Sequence, residues 1–464
     1  MEDYLENQPQ FKEILSKVEH WLANNESFYL DADTFEDVII YFFEQTKFRE
    51  AEKICDIGLE LHPYSIGLLL CKSRLLACQG KIEKAFHFIN KAEALQPLDG
   101  ETICCKASLY AVASDFEKAI SYFEKALPYV DNKVEVYFSI GYAYQSDEKY
   151  SQAIKSYLKV IKEDPSHQDA VAEFMHCAEQ EGTLSEYLPF FQQMIDDDPY
   201  SKYAWYNFAH ILNHLRRFDE SLKAIDYALV IDENFTDAYF GLGNIYMNKQ
   251  NYSEAQKAYL KVLELENPSA EVYTCLAASY EKQKDYANAI KYYRKSIHLD
   301  DKSEDAWYGL GVCMYEQEKW LEAIHLFKKA LEINEYNDSY WLALANAEYE
   351  LGNVISSREA YEKANQLNPL NPDTWLNWSY SFFEEGSYEQ AIDIILDAWE
   401  VIPDNSEILY RVCAYHLAAG RFKEGYIYLE QALALNYEQH IVLYDFFPSL
   451  EMQKAIARLI KECK

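Results

Sequence analysis

The feature that most limits what this chain can become is a period. Ala85-Ile89-Ala92, Ala119-Phe123-Ala126, Ala289-Tyr293-Ser296, Ala323-Phe327-Ala330 and Ala391-Ile395-Ala398 share one pattern. It is a small residue, a large apolar or aromatic one four places on, and a small one three places after that. Their spacings are multiples of 34. A 34-residue frame opened at residue 32 runs to 439 without insertion or deletion, giving twelve units that start at 32, 66, 100, 134, 168, 202, 236, 270, 304, 338, 372 and 406. These are repeats 1 to 12 below, and positions are counted from 1 to 34 within each. One such unit cannot bury its own apolar surface, so stability has to come from stacking on neighbours.

Position 4 reads Phe35, Leu69, Ile103, Tyr137, Val171, Trp205, Tyr239, Tyr273, Trp307, Trp341, Trp375 and Leu409. Position 8 is small in ten repeats of twelve, and position 20 in eleven, the exception being Tyr187. Position 32 is Pro in six: Pro63, Pro97, Pro165, Pro199, Pro369 and Pro403. This register resembles the tetratricopeptide repeat, whose Trp, Leu-Gly, Tyr, Ala, Phe and Pro fall on the same positions. The resemblance spans 32–439 and implies an all-α fold, a right-handed superhelical α-solenoid of two-helix hairpins.

The packing logic agrees with that fold. Small residues at 8 and 20 let two helix backbones approach, and a large side chain at 4 or 24 fills the space above them. The turn between helices A and B is polar or glycine-bearing, as at Gly352-Asn353, Gly386-Ser387 and Gly420-Arg421. Pro at 32 stops helix B and turns the chain into the next repeat. With 14 Gly and 12 Pro in 464 residues there is little material for a many-stranded protein. The expectation is about three-quarters helix and essentially no strand, well above the average of about a third. The 40 Tyr then belong mostly to contacts between helices.

Both ends of the array need covers. Residues 1–31 hold an N-terminal capping helix, with Phe11, Leu15, Val18 and Leu22 at helical spacing. Residues 440–464 hold a C-terminal one, where Pro448-Ser449 precedes Leu450, Ile456, Leu459 and Ile460 on one side. Glu451, Lys454, Arg458 and Lys461 solvate the rest of that helix. Repeat 5 (168–201) breaks the packing rule: Met175, Tyr187 and Met194 stand where small residues belong, and Pro189 lies just inside helix B. A bend or loosened interface is expected there.

The formal charge is −34. So acidic a surface repels phosphate backbones and anionic lipid, which argues against nucleic acid and membrane partners and favours basic protein segments. No apolar run approaches the ~18 residues of a membrane helix. The opening Met-Glu-Asp-Tyr-Leu-Glu-Asn lacks the basic and apolar parts of a secretory signal, and the ten cysteines contain no CxxC pair. Reduced thiols and a cytoplasmic location are expected.

Motifs for chemistry are missing. There is no phosphate loop, no His-Glu-x-x-His and no Gly-x-Ser-x-Gly, so neither an enzyme nor a cofactor is expected. Gly241-Leu-Gly243 and Gly309-Leu-Gly311 look like dinucleotide fragments, but they fall at positions 6 to 8 inside helix A and read as packing glycines. Cys71 and Cys105, both at position 6, with Cys104 and Cys78 nearby, make a soft-metal or redox site conceivable. Cysteine as a small hydrophobe in a crowded layer is the simpler reading. A metal trio of His176, His210 and His214 would need a carboxylate ligand and a second shell, and the sequence places neither, so groove-facing polar residues are the simpler reading.

The resemblance places a binding surface on the concave groove lined by helix A positions 2, 5, 6, 9, 12 and 13, where peptides or partner proteins lie. A clamp for a C-terminal carboxylate, known in the family, is excluded: position 5 never carries Lys, and position 2 is acidic in nine repeats, including Glu101, Glu135, Asp169, Asp237, Glu271 and Asp305. Groove candidates are Tyr206, Asn207, His210, Asn244, Tyr308, Asn346 and Asn377, with the asparagines able to pair with peptide amides. Repeats 9 to 11 carry a sharper pattern, with Tyr315, Tyr349, Phe383 at position 12 and Glu316, Glu350, Glu384 at position 13. These predict an aromatic rail beside an acidic one. The function expected is a non-catalytic scaffold or adaptor for a peptide or protein, with a basic segment of it as the favoured ligand. A regulatory subunit that masks an enzyme, or a metal/redox enzyme built on the Cys and His residues, are the alternatives. The sequence leaves the oligomeric state open.

Overall fold

The computed structural model describes residues 9–24, 29–266, 269–447 and 450–462. Among them are 27 α-helices and two 3-10 helices, and no strand. Every repeat is a hairpin of two helices, as in Asp338–Glu350 and Val354–Leu367 of repeat 10. Helix A starts where position 34 of the preceding repeat supplies a cap: Ser65, Asp99, Ser201, Ser269, Asn337, Asn371 and Asn405 each accept a backbone N–H two or three residues on.

The turn into helix B is the same in all twelve repeats. Position 15 is left-handed in each: Gly80, Gly182, Gly352, Gly386 and Gly420 in five, and Thr46, Ser114, Glu148, Arg216, Gln250, Lys284 and Glu318 in the other seven. The next residue's N–H then returns to the carbonyl at position 11, as in Lys149 to Tyr144 (2.9 Å) and Lys319 to Met314 (3.0 Å). This is the Schellman closure of a helix end, and it satisfies a carbonyl that would otherwise lack a donor.

Packing within a repeat follows the expected small-against-large rule. Alanines at position 20 such as Ala85, Ala153, Ala289 and Ala391 have no exposed surface. Gly141, Gly243 and Gly311 at position 8 lie under the position-24 rings of Tyr157, Tyr259 and Phe327, so close that a Cβ would sit 2.6, 2.3 and 2.5 Å from a ring carbon. Gly309 lies under Tyr293 of the preceding repeat in the same way. These glycines are packing residues. The tryptophans at position 4 add a latch: Nε1 of Trp205, Trp307, Trp341 and Trp375 donates to the carbonyl of residue 199, 301, 335 or 369, at position 32 of the preceding repeat (2.8–2.9 Å).

The chain parts into two compact units, up to Asp232 and from Glu233. In the first, helix Pro9–Asn24 buries Phe11 and Val18 against Phe35, Val38, Ile39 and Phe42 of repeat 1. Lys72 and Lys106 at position 7 are buried but paired, Lys72 with Glu52 and Asp56, Lys106 with Glu93. Repeat 5 lies inside this unit. Its second helix begins as a 3-10 turn, Leu184–Tyr187, and becomes regular only over Leu188–Asp197, with Pro189 in the first turn. Phe174 is fully buried there, its ring 5.3 Å from Tyr187 and 5.5 Å from Phe191.

In the second unit, repeat 12 ends in a 3-10 turn Tyr437–Val442, which is followed by a single helical turn Leu443–Phe446 and the final helix Leu450–Glu462. Leu443, Phe447, Ile456 and Ile460 join one core with Leu409, Val412 and Leu429 of repeat 12. Pro448-Ser449 and the side chains of Leu450 and Glu451 lie outside the described residues.

Candidate protein-binding face

In repeats 8 to 12 the A helices lie side by side, so positions 5, 6, 9, 12 and 13 form one continuous face. Glu316, Glu350 and Glu384 are exposed along it, while Tyr315, Tyr349 and Phe383 are half-buried. The two rows are joined at Glu384. Tyr349 of repeat 10 donates its hydroxyl to Glu384 of repeat 11, and Tyr380 donates to the other oxygen of the same carboxylate (2.8 Å). Tyr286 donates to Glu316 (3.1 Å). Burial first, and then the Glu384 carboxylate, push the phenol of Tyr349 above its ordinary range and that of Tyr380 up to about 12. Both therefore stay donors to the carboxylate at neutral pH. None of the three glutamates has Lys, Arg or His within salt-bridge distance among the described residues, unlike Glu101, Glu348 and Glu385, which pair with Arg74, Lys328 and Arg358.

The aromatic members serve the fold as well as the surface. Tyr315 packs on Trp320 at 4.8 Å. Tyr308 lies between Phe327 (5.8 Å) and Tyr340 (4.8 Å), and Tyr340 donates to Asp305 (2.7 Å). The asparagine acceptors are committed internally. Asn244 and Asn346 each accept from the position-24 tyrosine of their own repeat, Tyr259 and Tyr361, at 2.7 Å. Asn377 donates to Asn346 (3.2 Å). Asn207 is fully buried, donating to the Pro165 carbonyl (2.8 Å) and accepting from Gln168 (3.3 Å).

In repeat 6, Tyr206 stacks on His210 at 6.2 Å, and His210 meets His214 edge-on at 5.2 Å. Burial, and secondarily His214, hold the His210 pKa down to about 4. His214 pairs with Glu179 at 2.8 Å, and His176 is exposed. In repeats 2 and 3, Arg74 donates to Cys105 Sγ at 3.0 Å, and burial pushes the Cys71 thiol up to about 12. No group of three metal-ligating side chains occurs among the described residues.

Sequence reasoning missed Tyr380, Arg411, Tyr415 and Phe446. Phe446 lies beyond the periodic frame, and its ring stands edge-on to Phe383 at 5.3 Å, Tyr415 at 5.8 Å and Tyr380 at 6.1 Å. The only hint in the sequence was the run Leu443-Tyr444-Asp445-Phe446-Phe447, too apolar for a solvated connection.

A family model described as anaphase-promoting complex, cyclosome, subunit 3 matches residues 248–330 and 282–364. Two tetratricopeptide-repeat models match 134–167 and 342–407. Among solved structures, the chain is similar to YrrB, described as a TPR protein with an unusual peptide-binding site. That match has 22% identity and a TM-score of 0.33, and covers 40% of this chain and 95% of that one. It is also similar to the Cut9–Hcn1 hetero-tetramer of the anaphase-promoting complex, with 12% identity and a TM-score of 0.42, covering 93% of this chain and 97% of that one. No curated protein matches the chain.

Proposed function

We propose that this chain, a protein of tandem tetratricopeptide repeats, is a non-catalytic scaffold or adaptor that holds a basic segment of a partner protein against the A helices of repeats 9 to 11. The observation that carries this reading is the row of Glu316, Glu350 and Glu384, exposed and without a cationic partner among the described residues. Helices that pack side by side are about 8–10 Å apart, which is about three residues of extended chain at ~3.3 Å each. A ligand with Lys or Arg at every third position would meet successive carboxylates. The half-buried rings of Tyr315, Tyr349 and Phe383 would support the aliphatic stems. The match of 248–364 to a model described as a subunit of a complex supports a role in protein association for repeats 9 and 10.

The test uses a fluorescent peptide of Lys-Gly-Gly triplets. Exposed ion pairs contribute about 0.5 kcal/mol each, so replacing Glu316, Glu350 and Glu384 by Gln should weaken binding about tenfold. Glu359→Gln, Glu362→Gln and Glu400→Gln together, on B helices, remove the same negative charge and should leave the local contribution intact. Equal binding by the two triple variants would remove the basic-ligand claim and leave an adaptor of unspecified ligand.

A second reading, a regulatory subunit that masks an enzyme through its B helices, is favoured by Leu321 and Ile355 at position 18 of neighbouring repeats, 70% and 77% exposed. No helix of the described residues is long and apolar enough to cross a membrane. A cytoplasmic location remains part of the proposal.

A further inference from the structure

Phe446, a ring from outside the repeats, lies against A-helix rings of repeats 11 and 12. Its surroundings are built as a cage. Phe383 stacks on Tyr415 at 4.7 Å and 18°, and on Tyr380 at 6.1 Å and 20°, so three rings stand nearly parallel. Phe446 meets all three edge-to-face, at interplanar angles of 83°, 77° and 78°. Arg411 closes the cage, its guanidinium carbon 4.7 Å from the centre of the Phe446 ring and 5.8 Å from that of Tyr380. Each contact type stabilises a ring by about 0.5–1.5 kcal/mol beyond its area, and here four converge on one side chain. The cage residues Arg411, Tyr380 and Phe383 hold positions 6, 9 and 12 of their repeats.

The segment that delivers Phe446 has little regular helix. Tyr437–Val442 is a 3-10 turn and Leu443–Phe446 a single helical turn, so neither has a helical hydrogen-bond ladder of useful length. It is tied at its start by Tyr410, whose hydroxyl donates to the Asn436 carbonyl (2.8 Å), and by the Ser406–Gln439 bond. Leu443 and Phe447 are buried, while Phe446 itself is only half-buried. Arg411 reaches Glu407 through Nη2 at 3.6 Å, while its Nε is closed from solvent and makes no hydrogen bond.

We propose that this cage is a binding site for an aromatic side chain of a peptide partner, that Phe446 fills it in cis, and that lifting of the 437–447 strap admits the partner. The inference rests on the A-helix face being the binding face. The incoming peptide gains over Phe446 by bringing a carbonyl or carboxylate oxygen to Arg411 Nε. A tethered occupant competes at a high effective concentration, so the closed strap lowers the apparent affinity for any ligand in trans.

The probe is a fluorescein-labelled peptide with the sequence of residues 437–447, added to the full chain. Phe446→Ala should bind it about tenfold more tightly than the unsubstituted chain. Adding Phe383→Ala should abolish the gain, and a probe with Ala in place of its own Phe446 should bind neither protein. Phe446→Leu keeps the apolar cover and loses the ring. It should stay as helical as the parent by circular dichroism, and should show a smaller gain. Equal binding by parent and Phe446→Ala, or no gain in a folded Phe446→Leu chain, would overturn the proposal and make Phe446 a capping residue. The probe carries Glu438 and Asp445 and no Lys or Arg, so substituting Glu316, Glu350 and Glu384 by Gln should not weaken it. Loss of the Lys-Gly-Gly signal therefore tests the basic ligand, and the strap peptide tests the cage.

Discussion

At the scale of single residues, position 15 shows how one backbone requirement is met by unlike side chains. Glu148 and Lys284 hold φ of 55° and 61°, where Gly352 holds 87°. A residue with a Cβ in this region is strained by about 1–2 kcal/mol, against about 0.5–1 kcal/mol of extra unfolded-state entropy brought by glycine. Lys284→Gly should therefore stabilise repeat 8 by up to about 1 kcal/mol, read as a higher urea midpoint. An unchanged or lower midpoint would mean that the Lys284 side chain contributes contacts that outweigh the strain. His210 makes a pH-dependent contribution. Its pKa is held at about 4, first by burial and then by His214, with Glu179 pulling weakly the other way. The unfolded chain takes up this proton as pH falls through ~6.5, while the folded one does not until about 4. Stability from this residue is thus complete above pH 6.5 and declines between 6.5 and 4, by about 2 kcal/mol at pH 5. Comparing the urea midpoints of the parent and His210→Phe at pH 7 and pH 5 checks this, the variant losing less on acidification.

At the scale of elements, the hairpin is closed by pairs that lie sixteen residues apart, such as Gly243 under Tyr259 and Gly311 under Phe327. The hydroxyl of a position-24 tyrosine then reaches the A-helix face, to Asn244, Asn346, Gln145 or Glu281. Repeat 5 cannot use this arrangement, because Met175 occupies position 8 and Tyr187 position 20. Its second helix has ten α-helical residues where its neighbour Phe218–Ile231 has fourteen. Fewer ladder hydrogen bonds and a 3-10 entry place this helix at the low-stability end of the array. Amides of 188–197 should exchange with deuterium faster than those of 218–231. Equal protection would show that the rings of Phe174, Tyr187 and Phe191 fully compensate, and would end the case for a loosened interface here.

For the whole molecule, an array without closure depends on its end covers. In the second unit, Ile456 and Ile460 cover the core around Leu409, Val412 and Leu429. Removing residues 449–463 should bare that apolar surface and cause self-association, seen as a concentration-dependent rise in mass by light scattering. A monodisperse truncated chain with the same melting curve would place the cover elsewhere. The charge of −34 adds a long-range attraction for any basic ligand. Binding of the Lys-Gly-Gly probe will therefore weaken with salt, and only the local Gln substitutions separate the acidic row from the general field.

Much of this was readable from the order of residues, because in a repeat array the information is local and restated twelve times. Helix limits follow from Pro at 32 and caps at 34, burial from small residues at 8 and 20, and the absence of strands from their periodicity. The acidic and aromatic rows on repeats 9 to 11 were visible for the same reason: equal positions of successive repeats become neighbours. Other features depend on contacts that no period encodes. Nothing in Glu148 or Lys284 announces a left-handed backbone, since the hairpin, and not the residue, imposes it. The asparagines at 244 and 346 look free until a tyrosine fifteen residues away is folded over them. Phe446 reaches Phe383 and Tyr380 across more than sixty residues, from outside the repeating frame. Its place is decided by the shape of a cage that exists only once repeats 11 and 12 have packed.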